Sequence, residues 1–77
     1  MIKAGDIVRY NVLPPWVAGM PEDPRRVFEY CLGRSYPVYE IDERGLVVLD
    51  VSKDIDQLYG GFLNDIRIEE QYLERVT

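Results

Sequence analysis

Few residues in this sequence could carry out chemistry. There is no histidine, which removes the commonest general base and the commonest metal ligand. Cys31 is the only cysteine and the only candidate nucleophile. It shares the apolar face of a predicted helix with Val27 and Phe28, and no base can be named for it. We therefore interpret Cys31 as a buried, unreactive thiol and expect a protein that is not an enzyme.

Acidic residues and glycines give no clear binding motif. Asp50, Asp54 and Asp56 lie close together, with Asp65 further along, but they lack the alternating ligands and the glycine of a calcium loop. We interpret them as a solvated acidic loop. The glycine pair at 60–61 is followed by neither a lysine nor a helix, as a phosphate-binding loop would require. We expect no metal and no cofactor.

Aromatic side chains are the most suggestive feature. Trp16 follows two prolines in a predicted loop, and Tyr59 precedes the glycine pair in another. Tyr36 and Tyr39 fall on opposite faces of a predicted strand, so at least one should be exposed. Two interpretations of Trp16 remain open. It covers one end of the core, or it joins Tyr36 or Tyr39 in an exposed patch of the kind that binds partners.

Two arginines begin the predicted helix, where positive charge is mildly unfavourable. Arg25 and Arg26 either pair with Glu22, Asp23 or Glu29, or contact an anionic group on a partner. The sequence therefore offers six candidate partner-binding residues, namely Trp16, Tyr36, Tyr39, Tyr59, Arg25 and Arg26.

Length and charge narrow the possible functions. The 77 residues have room for a single domain, 1–77. Nine basic and fourteen acidic side chains give a net charge of −5, which disfavours nucleic acids and anionic membrane surfaces as partners. One cysteine cannot form an intrachain disulfide, and no apolar run suits a signal peptide or a membrane span. We expect a complete small cytoplasmic protein.

Hydrophobic periodicity predicts a mostly β chain with one inserted helix. Asp23 as N-cap and Pro24 as first helical residue predict a helix over about 24–32, ended by Gly33. Pro37 places the second strand at a sheet edge or at a bend, and residues 52–61 are predicted as a polar loop. The predicted strands cover residues 7–12, 35–41, 46–51, 62–69 and 73–76.

Several of these segments resemble an SH3-like barrel. The cues are Gly5-Asp6-Ile7-Val8-Arg9 at the start, a long excursion after the first strand, and the strand from Leu46 to Val51. Ile66-Arg67-Ile68 and the residues after it are similar to the 3₁₀ turn and final strand of those barrels. The resemblance implies a closed, five-stranded antiparallel barrel. The chain also looks like short uncharacterised bacterial proteins of that layout.

Two departures limit what the resemblance implies. The third strand opens with Leu46-Val47 and carries no tryptophan, and a helix interrupts the excursion, so recognition of proline-rich peptides is not implied. Our leading hypothesis is a non-enzymatic interaction module that binds a protein partner or a second copy through its loop aromatics. The alternative is a small accessory or regulatory subunit of a larger enzyme, binding a small ligand.

Overall fold

The computed structural model of the chain describes residues 1–59 and 65–76, with side chains up to residue 55 in the first range. Within these ranges two helices, α1 (Glu22–Cys31) and α2 (Ser52–Tyr59), and two 3₁₀ turns, Pro15–Gly19 and Glu70–Tyr72, accompany five strands. The strands are β1 (Ile7–Tyr10), β2 (Ser35–Ile41), β3 (Val47–Asp50), β4 (Asp65–Ile68) and β5 (Leu73–Arg75).

The five strands form one antiparallel sheet in the order β4-β3-β2-β1-β5. This confirms the prediction of a mostly β, five-stranded antiparallel fold. The sheet is open, because no ladder joins β4 to β5 among the residues that the structure describes. The predicted closure into a barrel is therefore not found. Both edge strands are short, with four and three residues, which limits the unpaired backbone that they present.

Pro37 does not place β2 at an edge, because β2 is the third of the five strands. The amide of Val38 donates to the Asp6 carbonyl on the β1 side at 2.8 Å. Successive residues of a strand direct their backbone groups to opposite neighbouring strands, so the Pro37 nitrogen faces β3. The pairing of β2 with β3 begins only at Val38 and Leu49, one residue after Pro37. A proline is therefore tolerated in a central strand. The irregularity of β2 lies just after Pro37, as a bulge that shifts its register with β3 between Val38 and Glu40.

Helix α1 starts two residues earlier than the sequence predicts. Pro21 is the N-cap, and Asp23 does not cap the helix. Pro24 is the third helical residue, where an amide has no acceptor inside the helix, so its missing N–H costs nothing. Gly33 adopts a φ of +85° just after the helix, as predicted for the residue that ends it.

The prediction of a polar loop over 52–61 is wrong for its first eight residues, which form α2. Val51 and Ile55 are both buried and lie four residues apart, so they form the apolar anchor of this helix. The Asp50 carboxylate accepts hydrogen bonds from the amide and hydroxyl of Ser52, at 3.0 and 2.6 Å. The predicted turn at 60–61 and the start of the predicted fourth strand lie outside the described residues.

One hydrophobic cluster joins α1, α2 and the inner face of the sheet. Its members alternate along the strands, as the period-2 pattern predicts. No helix in the described ranges is long and apolar enough to span a bilayer. The largest fully buried side chains of the cluster include Tyr10, Tyr36, Leu49, Ile55 and Ile68.

Candidate functional site

Trp16 lies in the 3₁₀ turn between β1 and α1. Pro14 is buried in an extended conformation, and Pro15 provides a favourable first residue for the turn. Val17 is fully buried and donates its amide to the Pro14 carbonyl at 3.1 Å. The turn is therefore anchored on both sides of Trp16, while Trp16 itself is 38% exposed.

Two contacts fix the Trp16 ring. Its edge meets Phe28 of α1 in a T-shaped arrangement, with ring centroids 5.3 Å apart. Its indole N–H donates to both carboxylate oxygens of Glu69, at 3.0 and 3.1 Å. Part of Trp16 therefore packs against the buried Phe28, as expected of a side chain that covers one end of the core, and the rest of it remains accessible.

A groove of about 270 Å³ opens beside Trp16, between α1 with its preceding turn and β4. Asp65 and Arg67 stand at its rim, and the Arg67 guanidinium also pairs with Asp42 at 3.5 Å. We call this feature the Trp16 groove. Its apolar lining consists of Trp16, Met20, Pro24, Val27, Phe28 and Ile66.

Both helical arginines are engaged by glutamates of the same helix. Arg26 pairs with Glu22 at 2.7 Å, and Arg25 approaches Glu29 at 4.0 Å, each with an i,i+4 spacing. This agrees with the ion-pair interpretation. Exposed pairs of this kind contribute little to stability, so neither arginine is held rigidly enough to define an anion site.

Of the two tyrosines that the sequence offers for an exposed patch, Tyr36 does not belong to one. Its side chain is fully buried, and its hydroxyl donates to an Asp54 carboxylate oxygen at 2.6 Å. Burial is the main reason why the pKa of Tyr36 lies above its ordinary value, and the hydrogen bond to Asp54 adds to the rise. This contact attaches α2 to β2, so the role of Tyr36 in the structure is to hold these two elements together.

Tyr39 is 69% exposed, which confirms that one of the two strand tyrosines faces outward. It lies at the β2 bulge and does not line the Trp16 groove, whose sheet side is β4. The side chain of Tyr59 lies outside the described part of the structure. Phe28 and Ile66 also line the groove, although their apolar periodicity in the sequence indicates only core packing and carries no sign of the gap between them.

Cys31 is fully buried, as predicted. Burial raises the pKa of its thiol, and the adjacent Tyr36 hydroxyl offsets part of that rise. A protonated, inaccessible thiol is a poor nucleophile. Across the described residues, no three acidic or cysteine side chains are grouped so that they could hold a metal ion.

A second hollow, of about 510 Å³, lies at the β2–β3 turn and is lined by charged residues. One of its carboxylates, Asp42, is already used by the turn itself, because it accepts hydrogen bonds from the amides of Arg44 and Leu46, both at 2.9 Å. The same residue pairs with Arg67. The hollow is therefore explained by the turn, and the Trp16 groove is the stronger candidate site.

Comparison with protein families, with curated proteins and with solved structures finds no match to this chain.

Proposed function

We propose that this chain is a non-enzymatic interaction module that binds a segment of a protein partner in the Trp16 groove. The observation that carries the proposal is the state of Trp16, which is held by Phe28 and Glu69 yet remains 38% exposed beside apolar walls. An aromatic side chain that is already fixed loses little entropy on binding. Residues of this kind dominate the energetics of protein interfaces.

The size of the groove supports a side chain as its occupant. Pockets for drug-sized molecules and cofactors hold roughly 300–1,000 Å³, and the Trp16 groove lies just below that range at about 270 Å³. The alternative function, a small accessory subunit that binds a small ligand, would depend on the polar hollow at the β2–β3 turn. Asp42 within that hollow is already committed to hydrogen bonds with the turn.

The net charge of −5 favours a different protein over a second copy as partner. Two identical acidic surfaces repel one another when they meet. Sedimentation of the purified protein at low and physiological salt is therefore expected to show a monomer at both. If added salt promotes a dimer of the parent protein and Trp16→Ala remains a monomer, the partner is a second copy of this chain and the choice of a different protein is wrong.

We also propose an SH3-like arrangement of the sheet. The strand order supports it, together with the bulge that bends β2 between its two neighbours and the 3₁₀ turn between β4 and β5. The arrangement explains how the long β1–β2 excursion brings Trp16 close to β4. It does not by itself indicate what the groove binds, because one fold serves many functions.

A random-peptide display library provides the test. It is selected on the parent protein and, in parallel, on Trp16→Ala, after circular dichroism has shown that the variant is folded. Tyr39→Ala is the matched control, since it removes an exposed aromatic side chain away from the groove. We expect peptides that bind the parent and Tyr39→Ala but not Trp16→Ala.

Two results would contradict the proposal. One is that no peptide is enriched on the parent protein. The other is that the enriched peptides bind Trp16→Ala as tightly as the parent. If Trp16→Ala does not fold, Trp16→Phe replaces it, because phenylalanine keeps the contact with Phe28 but removes the indole N–H and reduces the exposed ring.

A further inference from the structure

The charges around the Trp16 groove are unbalanced. Arg67 at the rim forms an ion pair with Asp42, and each of the two helical arginines pairs with a glutamate of α1. Asp65 lines the groove and Glu69 holds the Trp16 indole, yet neither carboxylate takes part in an ion pair among the described residues. The residues outside the described ranges contain no lysine or arginine that could neutralise them.

An apolar groove that carries a tryptophan, and at its rim a carboxylate without an ion-pair partner among the described residues, suits one kind of side chain. Lysine and arginine lay their aliphatic stems along apolar surfaces while the charged head remains in a polar setting. A cation is also attracted to the face of a tryptophan ring. On the basis of the proposed function, we infer that the Trp16 groove accepts an arginine side chain from a basic segment of the partner protein.

Arginine satisfies this site better than lysine for two reasons. Its planar guanidinium stacks on aromatic rings, and it binds a carboxylate such as that of Asp65 through two parallel hydrogen bonds. The ammonium group of lysine is more strongly hydrated and binds as a point charge. An acidic segment would bring its carboxylates close to Asp65, and the net charge of −5 disfavours both such a segment and the phosphates of a nucleic acid.

The composition of the peptides selected on the parent protein gives the first test. We expect an arginine flanked by apolar residues in the enriched sequences that depend on Trp16. One such peptide is then synthesised in three forms that carry arginine, lysine or norleucine at that position. Each form is titrated against the parent protein while the fluorescence of Trp16, the only tryptophan of the chain, is followed.

Asp65→Asn and Glu43→Gln form the pair of variants for this titration. Both remove one exposed carboxylate, but Glu43 lies at the β2–β3 turn, away from the groove. We expect the arginine peptide to bind Asp65→Asn about two- to fivefold more weakly than the parent, as the loss of an exposed ion pair implies. Glu43→Gln should leave the affinity unchanged, and added salt should weaken binding to the parent.

The outcomes separate this inference from the proposed function. If the norleucine peptide binds as tightly as the arginine peptide and Asp65→Asn has no effect, the inference is wrong while the apolar groove stands. If the lysine form binds more tightly than the arginine form, the choice of arginine over lysine is wrong, and the rest of the inference stands. If no peptide binding depends on Trp16, the proposed function fails as well.

Discussion

At the scale of single residues, the Cys31 thiol shows how burial controls reactivity. The side chain is fully buried and its pKa is raised, chiefly by burial. We predict slow reaction of the native protein with a thiol reagent at neutral pH and fast reaction after denaturation. The measurement is the labelling rate with and without denaturant. Equally fast labelling in both states would revive Cys31 as a candidate nucleophile.

The Tyr36 hydroxyl makes the second prediction at this scale. Tyr36→Phe removes the 2.6 Å hydrogen bond to the half-buried Asp54 carboxylate. Because a hydrogen bond to a charged group is among the stronger ones, we expect the free energy of unfolding to fall by about 1.5 kcal/mol. Denaturant titration followed by circular dichroism gives this value.

Tyr10→Phe is the matched control for that substitution. The Tyr10 hydroxyl is also buried, but it has no hydrogen-bond partner among the described residues. Removing a buried polar group that lacks a partner should leave the free energy of unfolding unchanged or raise it. A loss in Tyr10→Phe as large as that in Tyr36→Phe would show that the space filled by a buried hydroxyl, and not the bond to Asp54, determines the effect.

At the scale of elements, the start of α2 makes stability depend on pH. The pKa of Asp50 is lowered from its ordinary value of 3.8, first by the Ser52 hydroxyl and then by the Ser52 amide. A lowered folded-state pKa means that the carboxylate stabilises the fold above pH 3.8, and that this contribution is lost as the pH falls through the folded-state pKa.

The test compares the parent protein with Asp50→Asn by denaturant titration across the acid range. We expect the parent to be more stable at about pH 6, and the difference to shrink as the pH falls below 3.8, because protonated Asp50 resembles asparagine. A difference that stays constant down to the lowest pH would contradict a role for the charge.

Strand β3 carries two valines with equal burial and different surroundings. Val47 and Val48 are each 1% exposed, but only Val47 belongs to the main hydrophobic cluster. Val48 points to the opposite face, where its cross-strand neighbours are Glu40 and Arg67. Long charged side chains cover apolar surface with their aliphatic stems, which accounts for the burial of Val48.

This difference leads to a prediction with two isosteric substitutions. Val47→Thr places a hydroxyl in the apolar cluster and should lower the free energy of unfolding by about 1–3 kcal/mol. Val48→Thr should have a smaller effect, because its hydroxyl can bond to Glu40 or Arg67. Thermal or denaturant unfolding of both variants provides the comparison. Equal losses would mean that the outer face of β3 is as apolar as the core.

At the scale of the whole molecule, the charge predicts which partners are avoided. With a net charge of −5, we expect no measurable binding to single- or double-stranded oligonucleotides at physiological salt. Fluorescence anisotropy of labelled oligonucleotides is a suitable measurement. Micromolar binding that weakens steeply with added salt would contradict the prediction and would reveal a local basic surface that the net charge does not indicate.

The strands follow from the sequence because their signals are local. Apolar patterning predicts β2 over its observed range and all of β1, β3 and β5, with each of these three predicted one or two residues too long. Helix α1 follows from the apolar stripe of Val27, Phe28 and Cys31, and the burial of Cys31 follows from the same stripe. Helix α2 was missed, because charged residues surround its short apolar anchor and its stability depends on packing against the sheet.

The candidate site is determined by tertiary structure. Trp16 is conspicuous in the sequence, but its partners Phe28 and Glu69 lie 12 and 53 residues away. Because of the strand order, β4 and not β2 faces the turn that carries Trp16. Tyr36 on β2 is fully buried in this arrangement. A groove is a gap between elements, so it depends on how far apart packing holds α1 and β4, a distance that no local pattern of residues encodes.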